Sequence, residues 1–382
     1  MKNKKLTFTE GMMLVAGAGM GTGILTIPYA ASKIGIVGTL TALFLAYVAS
    51  VITYLFIADL TLQSTNSTQL LGILKQHLFR GKYEKVLTYI FFGTFVIILL
   101  QNLITYIMCA TNIMSELFGM PSLIAQILFY LLALLVLLFG IKGIGIGEKI
   151  AVPLIAGSII LLIVLSFLKP QNTPDFSIGD MGIVTAVFGL FMFAFSAIFS
   201  VVQVTNHLEN KKHTKAVLVG GLSVNALLTF VFTLVTIVGS KEVTEVAILG
   251  LSDAIGKPWV KIVSSVFVLL AMFTSYWSSG LAFADVIKDE FGLGKKTAVF
   301  LGTLPAIILA IVLPLSILDY AQIGAGALSV VVGLIILPAY YNAVKDKKEG
   351  LLLGKFAKSK LLIGIVGLTT VLMAISSFIP IG

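Results

Sequence analysis

Runs of roughly 20 residues with almost no charge recur along this chain, ten times or more, and each is long enough to cross a bilayer as a helix. Only 11% of the residues are charged, against about a quarter in an ordinary soluble domain. With mean hydropathy at +1.07, too little polar surface remains for folding in water. In hydrocarbon a helix satisfies its own backbone, so the expected fold class is an all-α integral membrane protein. About eleven spans can be drawn, near 10–33, 36–62, 86–114, 121–141, 148–168, 181–206, 214–239, 258–288, 297–317, 320–343 and 361–380. The connections between them are short, so 1–382 is expected to be one transmembrane domain.

Several function classes drop out early. Cys109 is the only cysteine, so no intrachain disulfide forms. No Cys/His set has zinc-ligand spacing and no Walker-type phosphate loop is present. No mid-membrane group of His, Asp, Glu or Cys is assembled for acid–base or nucleophilic work, which argues against an enzyme. The net charge is +9, but the lysines are dispersed between apolar runs, so no nucleic-acid partner is expected. MKNKK followed by an apolar run has the outline of a secretion signal, yet the run continues past any cleavage site and serves as the first span.

The basic residues set a topology. With a cytoplasmic N-terminus and alternating spans, 21 of the 26 Lys and Arg residues fall inside. The C-terminus is then outside, and the location is the cell (plasma or inner) membrane. A weak symmetry accompanies this: a first unit of about 8–170, a second of about 178–345 inserted the opposite way, and an extra helix at about 360–380.

The first span carries AGAGMGTGILTIP, Ala16–Pro28. Each glycine weakens a helix by up to ~1 kcal/mol relative to alanine. Gly17, Gly19, Gly21 and Gly23 therefore make 16–23 the easiest place to unwind. An unwound stretch exposes N–H groups that suit a carboxylate and C=O groups that suit a hard cation. A second reading is close packing, since Gly19 and Gly23 form a GxxxG that lets helices approach.

GTGILTIPYA, Gly21–Ala30, resembles the first-span signature of the amino acid/auxin permease family and the related aromatic amino acid permeases. These belong to the amino acid–polyamine–organocation superfamily, with a LeuT-type fold of five plus five inverted helices. The resemblance implies discontinuous helices 1 and 6 and a secondary active transporter. It extends to span 8, AMFTSYWSSGLAFADVIKDE, where Ala271, Thr274 and Ser275 match the spacing at which sodium symporters of this fold place one carbonyl and two hydroxyls. Ala16 and Gly19 are the implied partner carbonyls in span 1. Positions i, i+3 and i+4 share a helix face, and neutral oxygens suit a hard cation. The plainer alternative is that Thr274 and Ser275 bond back to their own helix.

Span 6, GLFMFAFSAIFSVVQVTNHLE, also resembles the family, in which this helix breaks and lines the substrate pocket. By that resemblance the break falls at Phe193–Ala197, with Phe193, Ala194, Phe195 and Ser196 at the substrate, although no glycine or proline lies between Gly189 and Gly220; Phe193, Phe195 and Phe199 are the candidates for an apolar side-chain pocket. Gly17, Gly21, Thr22 and Gly23 complete the expected zwitterion site. Gln101, Asn102 and Tyr106 in span 3 are candidates for side-chain selection, with interhelical hydrogen bonding as the alternative for the two amides.

The three histidines and Asp59, Glu84, Glu116, Glu148, Asp180 and Glu209 fall in loops or at span ends. Glu10 and Asp285 are the remaining proton carriers. A membrane interior rich in hydroxyls and poor in charge favours Na⁺ as coupling ion, with H⁺ as the alternative. The expected function is import of neutral amino acids by alternating access, by a monomer in the lipid bilayer. An amino-acid-sensing receptor subunit is the alternative of another class.

Overall fold

The computed structural model describes residues 5–19, 23–64, 70–78, 84–139, 141–168, 170–313, 317–345 and 352–381. Its regular elements are helices: α1 (Phe8–Gly19), α2 (Gly23–Ala31), α3 (Ile36–Gln63), α4 (Leu70–Leu78), α5 (Glu84–Phe118), α6 (Ser122–Phe139), α7 (Ile141–Leu168), α8 (Met181–Ala194), α9 (Ile198–His207), α10 (Thr214–Gly239), α11 (Ala247–Ile255), α12 (Pro258–Phe291), α13 (Lys295–Val312), α14 (Ile317–Val331), α15 (Leu337–Lys345) and α16 (Lys360–Ser376). A π-helical turn, Val332–Ile336, joins α14 to α15.

Among the described residues, eight spans are long and apolar enough to cross a membrane, with α8–α9 and α14–α15 each taken as one. The pair α1 and α2, inclined at 53°, makes a ninth. Leu154–Ser166 within α7 and Lys360–Ser376 are apolar but shorter, and they stand where spans 5 and 11 are expected. Among the described residues, length and composition thus identify eight or nine spans, and these two helices occupy the other two of the eleven expected positions.

Local signals explain the helix ends. The Asp180 carboxylate accepts the Ile183 N–H at 3.0 Å and caps α8. Thr7 and Glu10 form a reciprocal capping box at the start of α1, with Thr7 N to Glu10 Oε2 at 3.0 Å and Glu10 N to Thr7 Oγ1 at 3.3 Å. Pro258 opens α12, where its missing N–H costs nothing, and Gly292 closes it at φ +64°.

The helices pack around two apolar cores. One gathers buried residues of α3, α8, α9, α10, α14 and α15. The other gathers α5, α6, α7, α12 and α13. The half-helix α2 is split between them: Ile24 and Leu25 belong to the second and Ile27 to the first. The α8–α9 span, 72% buried, is the most enclosed of all and lies deep in the first core. At their far ends α1 and α9 are tied together, because Leu6 N donates to His207 O at 2.8 Å and Glu209 N to Leu6 O at 2.9 Å.

The last helix, α16, docks on α8 and α14. At Gly189 a Cβ would lie 1.8 Å from Ser376 Oγ and 2.6 Å from its Cβ, so the two backbones meet closely only because residue 189 has no side chain. Gly189→Leu is therefore expected to lift α16 off the bundle and lower the thermal midpoint in detergent by several degrees. Differential scanning fluorimetry on purified protein measures it, and an unchanged midpoint would contradict this packing.

Candidate functional site

The second core-crossing span is interrupted without glycine or proline. α8 ends at Ala194, and Phe195, Ser196 and Ala197 leave the helical ladder before α9 begins at Ile198. In hydrocarbon the freed backbone groups need partners. Two side chains distant in sequence supply them. The Tyr54 hydroxyl of α3 donates to Phe195 O and accepts the Ala197 N–H at 3.1 Å. Asn225 of α10 donates from Nδ2 to Ala194 O at 3.3 Å. Ser196 N turns back to Phe193 O at 3.0 Å.

The first interruption separates α1 from α2, and both of its flanks touch the second. A Cβ on Gly19 would lie 2.2 Å from Asn225 Nδ2 and 2.6 Å from Ala194 O. A Cβ on Gly23 would lie 2.3 Å from Ala194 Cβ. Both readings of these glycines thus hold together: the span is broken, and Gly19 and Gly23 are also the surfaces on which the other broken span rests.

A small cavity lies where the breaks meet, about 30 Å³ in volume. The half-helices α1 and α2 give it Ala18, Gly19 and Gly23. The α8–α9 break gives it Phe193, Ala194, Ser196, Ala197, Phe199 and Ser200. α5 contributes Asn102 and Tyr106, and α12 contributes Ser278 and Ser279. The lining is drawn from both cores, so the cavity sits on their seam.

Of the residues expected at substrate, Gly23, Tyr106, Phe193, Ala194 and Ser196 line this cavity. Phe195 does not: its side chain is fully buried against Phe191, and its carbonyl is held by Tyr54. Gly17 lies one turn away, half-buried, with open space where a Cβ would stand. Gly21 and Thr22 lie outside the described residues. Of the two span 3 amides, Gln101 is used as interhelical glue, donating to Tyr320 O at 2.5 Å and to Thr105 Oγ1 at 3.0 Å. Asn102 faces the cavity instead.

The expected cation set is buried in neighbouring helices. Ala16 and Gly19 lie on α1, which packs on α12, where Ala271, Thr274 and Ser275 are buried. Thr274 Oγ1 donates to Ala271 O at 3.0 Å, the back-bonded arrangement. Ser275 Oγ is buried without a well-formed hydrogen bond, although the Tyr106 hydroxyl is near. The two candidate proton carriers differ. Glu10 is committed to the capping box, whereas Asp285 is half-buried with Lys288 and Lys295 nearby. Asp59, expected at a span end, is buried and accepts the Leu352 N–H at 2.7 Å.

Tyr54 and Asn225 escape sequence reading because each acts on a backbone far along the chain. The available signal is weak: a tyrosine and an asparagine inside apolar runs, which need partners when buried.

Two interrupted helices, crossing at a cavity on the seam between two packed cores, define a multi-pass membrane transporter of the LeuT-type fold, not an enzyme. Solved structures share this fold. The chain is similar to Mhp1, a nucleobase-cation-symport-1 family transporter in a closed conformation with bromovinylhydantoin bound (TM-score 0.72, 13% identity, 99% of this chain and 92% of that one). It is also similar to MhsT in complex with L-phenylalanine (0.68, 17%, 96% and 98%). A third is the Eremococcus coleocola manganese transporter in complex with an aromatic bis-isothiourea substituted compound (0.63, 15%, 96% and 86%). No curated protein matches the chain. The family pattern that matches is the tryptophan/tyrosine permease family, over residues 4–377, and the chain belongs to that family. Of the resemblance read from the first span, the aromatic permease side is thus supported; membership of the amino acid/auxin permease family is not.

Tyr54→Phe removes the hydroxyl that bridges Phe195 O and Ala197 N–H, and leaves those two groups only their own hydrogen bond to each other at 2.9 Å. Each buried hydrogen bond lost costs about 0.5–1.5 kcal/mol. The variant should still assemble, since the ring is kept, but ligand affinity should fall ~10-fold or more. Equilibrium binding with a circular-dichroism control for folding checks this. Gly17→Ala meets nothing and improves helix propensity, so it should leave binding within about twofold and raise stability by up to ~1 kcal/mol. A large loss of binding in Gly17→Ala would instead place that residue at the ligand.

Proposed function

We propose that this permease is a secondary transporter that moves aromatic amino acids across the cell membrane by alternating access, in symport with Na⁺. The carrying observation is the cavity at the crossing of the two breaks, where Gly19, Gly23, Ala194, Ser196 and Ala197 stand beside the rings of Phe193 and Phe199. Exposed N–H and C=O groups at helix breaks suit a carboxylate and an ammonium, and ring faces suit an aromatic side chain. Among the described residues, no charged side chain lines the cavity, which agrees with a neutral substrate. The family is named for tryptophan and tyrosine, and the similar MhsT is described with L-phenylalanine. On this reading Gly21 and Thr22 complete the carboxylate end.

A cavity of about 30 Å³ has room for a water or two, not for an aromatic ring, since ligand pockets run to about 300 Å³ and beyond. Substrate entry therefore requires the seam to open, with α1, α2, α8 and α9 moving against α5, α6, α12 and α13. The residues present fit a hard cation: Ser275 Oγ is a buried oxygen in need of a partner, Thr274 Oγ1 keeps a free lone pair beside it, and Ala16, Gly19 and Ala271 add carbonyls. Na⁺ held there would supply positive charge next to the broken first helix, and one inward Na⁺ gains about 2.3 kcal/mol per 100 mV. The protein is read as a monomer with its N-terminus in the cytoplasm and its C-terminus outside.

The test is a melting-temperature screen of purified protein against the twenty amino acids, in Na⁺ and in choline. A ligand at 100 times its Kd stabilises the folded state by about 2.7 kcal/mol. Aromatic amino acids should raise the midpoint in Na⁺ and much less in choline, and Ser275→Ala should weaken the apparent Na⁺ affinity ~10-fold. A shift independent of Na⁺ would move the coupling to H⁺ and Asp285. No shift with any aromatic amino acid would overturn the substrate assignment.

A further inference from the structure

We infer that Asn102 reads the hydrogen-bonding atom on the substrate's ring, so that the site selects tryptophan and tyrosine over phenylalanine. This rests on the aromatic amino acid reading above and assigns one residue to a discrimination that reading leaves open.

The cavity wall sorts by chemistry. One side is the main chain of the two breaks, and Phe193 and Phe199 form an apolar part. The remaining side is a polar strip on α5 and α12: Asn102, Tyr106, Ser278 and Ser279. Asn102 and Tyr106 are four residues apart and share a helix face. The Tyr106 hydroxyl lies beside Ser279, so that part of the strip is internally partnered. Asn102 is not: the residue is 9% exposed, and its Oδ1 is buried without a hydrogen bond. Gln101, next to it, shows the contrast. Its amide nitrogen bridges α5 to Tyr320 O on α14, its unpartnered Oε1 lies against Gly324 beside the Phe193 ring, and the residue does not itself line the cavity.

A buried amide at the edge of a binding cavity is costly unless the ligand satisfies it. On the reading above, the carboxylate and ammonium go to main-chain groups of the two breaks, so the group left for Asn102 is one on the substrate's side chain. What remains is a neutral donor or acceptor carried on an aromatic ring. An indole N–H donates only, and a phenol O–H donates and accepts. An asparagine amide meets both, since half a turn about its terminal bond exchanges its C=O and NH₂. Phenylalanine has no such atom and would close the seam over an unpaired amide. A site built to bond a polar atom rejects the analogue that lacks it far more strongly than an apolar pocket rejects a change of shape.

The experiment compares tyrosine with phenylalanine, and tryptophan with benzothienylalanine, in which sulfur replaces the indole N–H. Dissociation constants are measured by isothermal titration on purified wild type, Asn102→Leu and Asn102→Ser. Wild type should prefer the polar-ring member of each pair ~10-fold or more. Asn102→Leu should bring both ratios within about twofold, by weakening the polar-ring member of each pair and tightening phenylalanine. Asn102→Ser, which keeps a small hydroxyl, should fall between and serves if the leucine variant does not fold. Ratios unchanged in either variant, or equal losses for all four ligands, would overturn this assignment alone. A wild type that binds the aromatic amino acids without preference would do the same. A wild type that binds none of the four would overturn the transporter substrate assigned above, and this inference with it.

Discussion

A broken helix inside a bilayer stands or falls on where its freed backbone groups go. Water is absent, so each N–H or C=O left without a partner costs several kcal/mol. The α8–α9 break meets this demand with tight main-chain turns, Ser196 N to Phe193 O and Ala197 N to Phe195 O, and with two side chains from other helices. Tyr54 uses one oxygen twice, as donor to Phe195 O and acceptor from Ala197 N–H, and Asn225 closes Ala194 O. Neither contact would be available to a continuous helix, whose own ladder would occupy those groups. The break therefore persists among residues of ordinary helix propensity, because the surrounding helices reward the open form.

The same contacts set the position of the first break. Asn225 lies over Gly19, and Ala194 lies against Gly23, both at distances that admit no side chain. The two interrupted spans are thus interlocked through one asparagine and one alanine. This crossing falls on the seam between the two cores, with α2 contributing to each. Apolar packing inside each core resists deformation, whereas the seam is lined by small residues, hydroxyls and one amide. The seam holds the cavity, and it is the plane on which the proposed alternating access would open.

How much of this is legible in the sequence depends on whether the cause is local. The first break is legible, because four glycines in 17–23 weaken the helix where they stand. The second is legible only by resemblance, since its cause is Tyr54, 141 residues away. The cavity residues Gly23, Tyr106, Phe193, Ala194, Ser196 and Phe199 follow from the motifs, but Ser200, Ser278 and Ser279 depend on helix rotation, which apolar runs do not encode well. Phe195 shows the limit: it stands at the break, yet its ring turns into the core. Glu10 is similar, for the Thr7–Glu10 spacing of a capping box is present in the sequence, but a carboxylate near a span end reads equally well as a proton carrier.

Gly19 belongs to two sets at once. It lines the cavity, and its carbonyl is among those assigned to the cation. In the proposed symport, an ion that fixes the end of α1 also fixes the wall against which Ala194 and Asn225 rest, and a substrate that closes the cavity fixes the same carbonyl for the ion. By linkage each then raises the other's affinity by one common factor. No separate relay is needed between the sites, because the shared residue has no side chain to rearrange and its backbone is held on both faces. In the proposed symport, the coupling of two gradients would then reduce to one glycine that cannot move for one ligand without moving for the other.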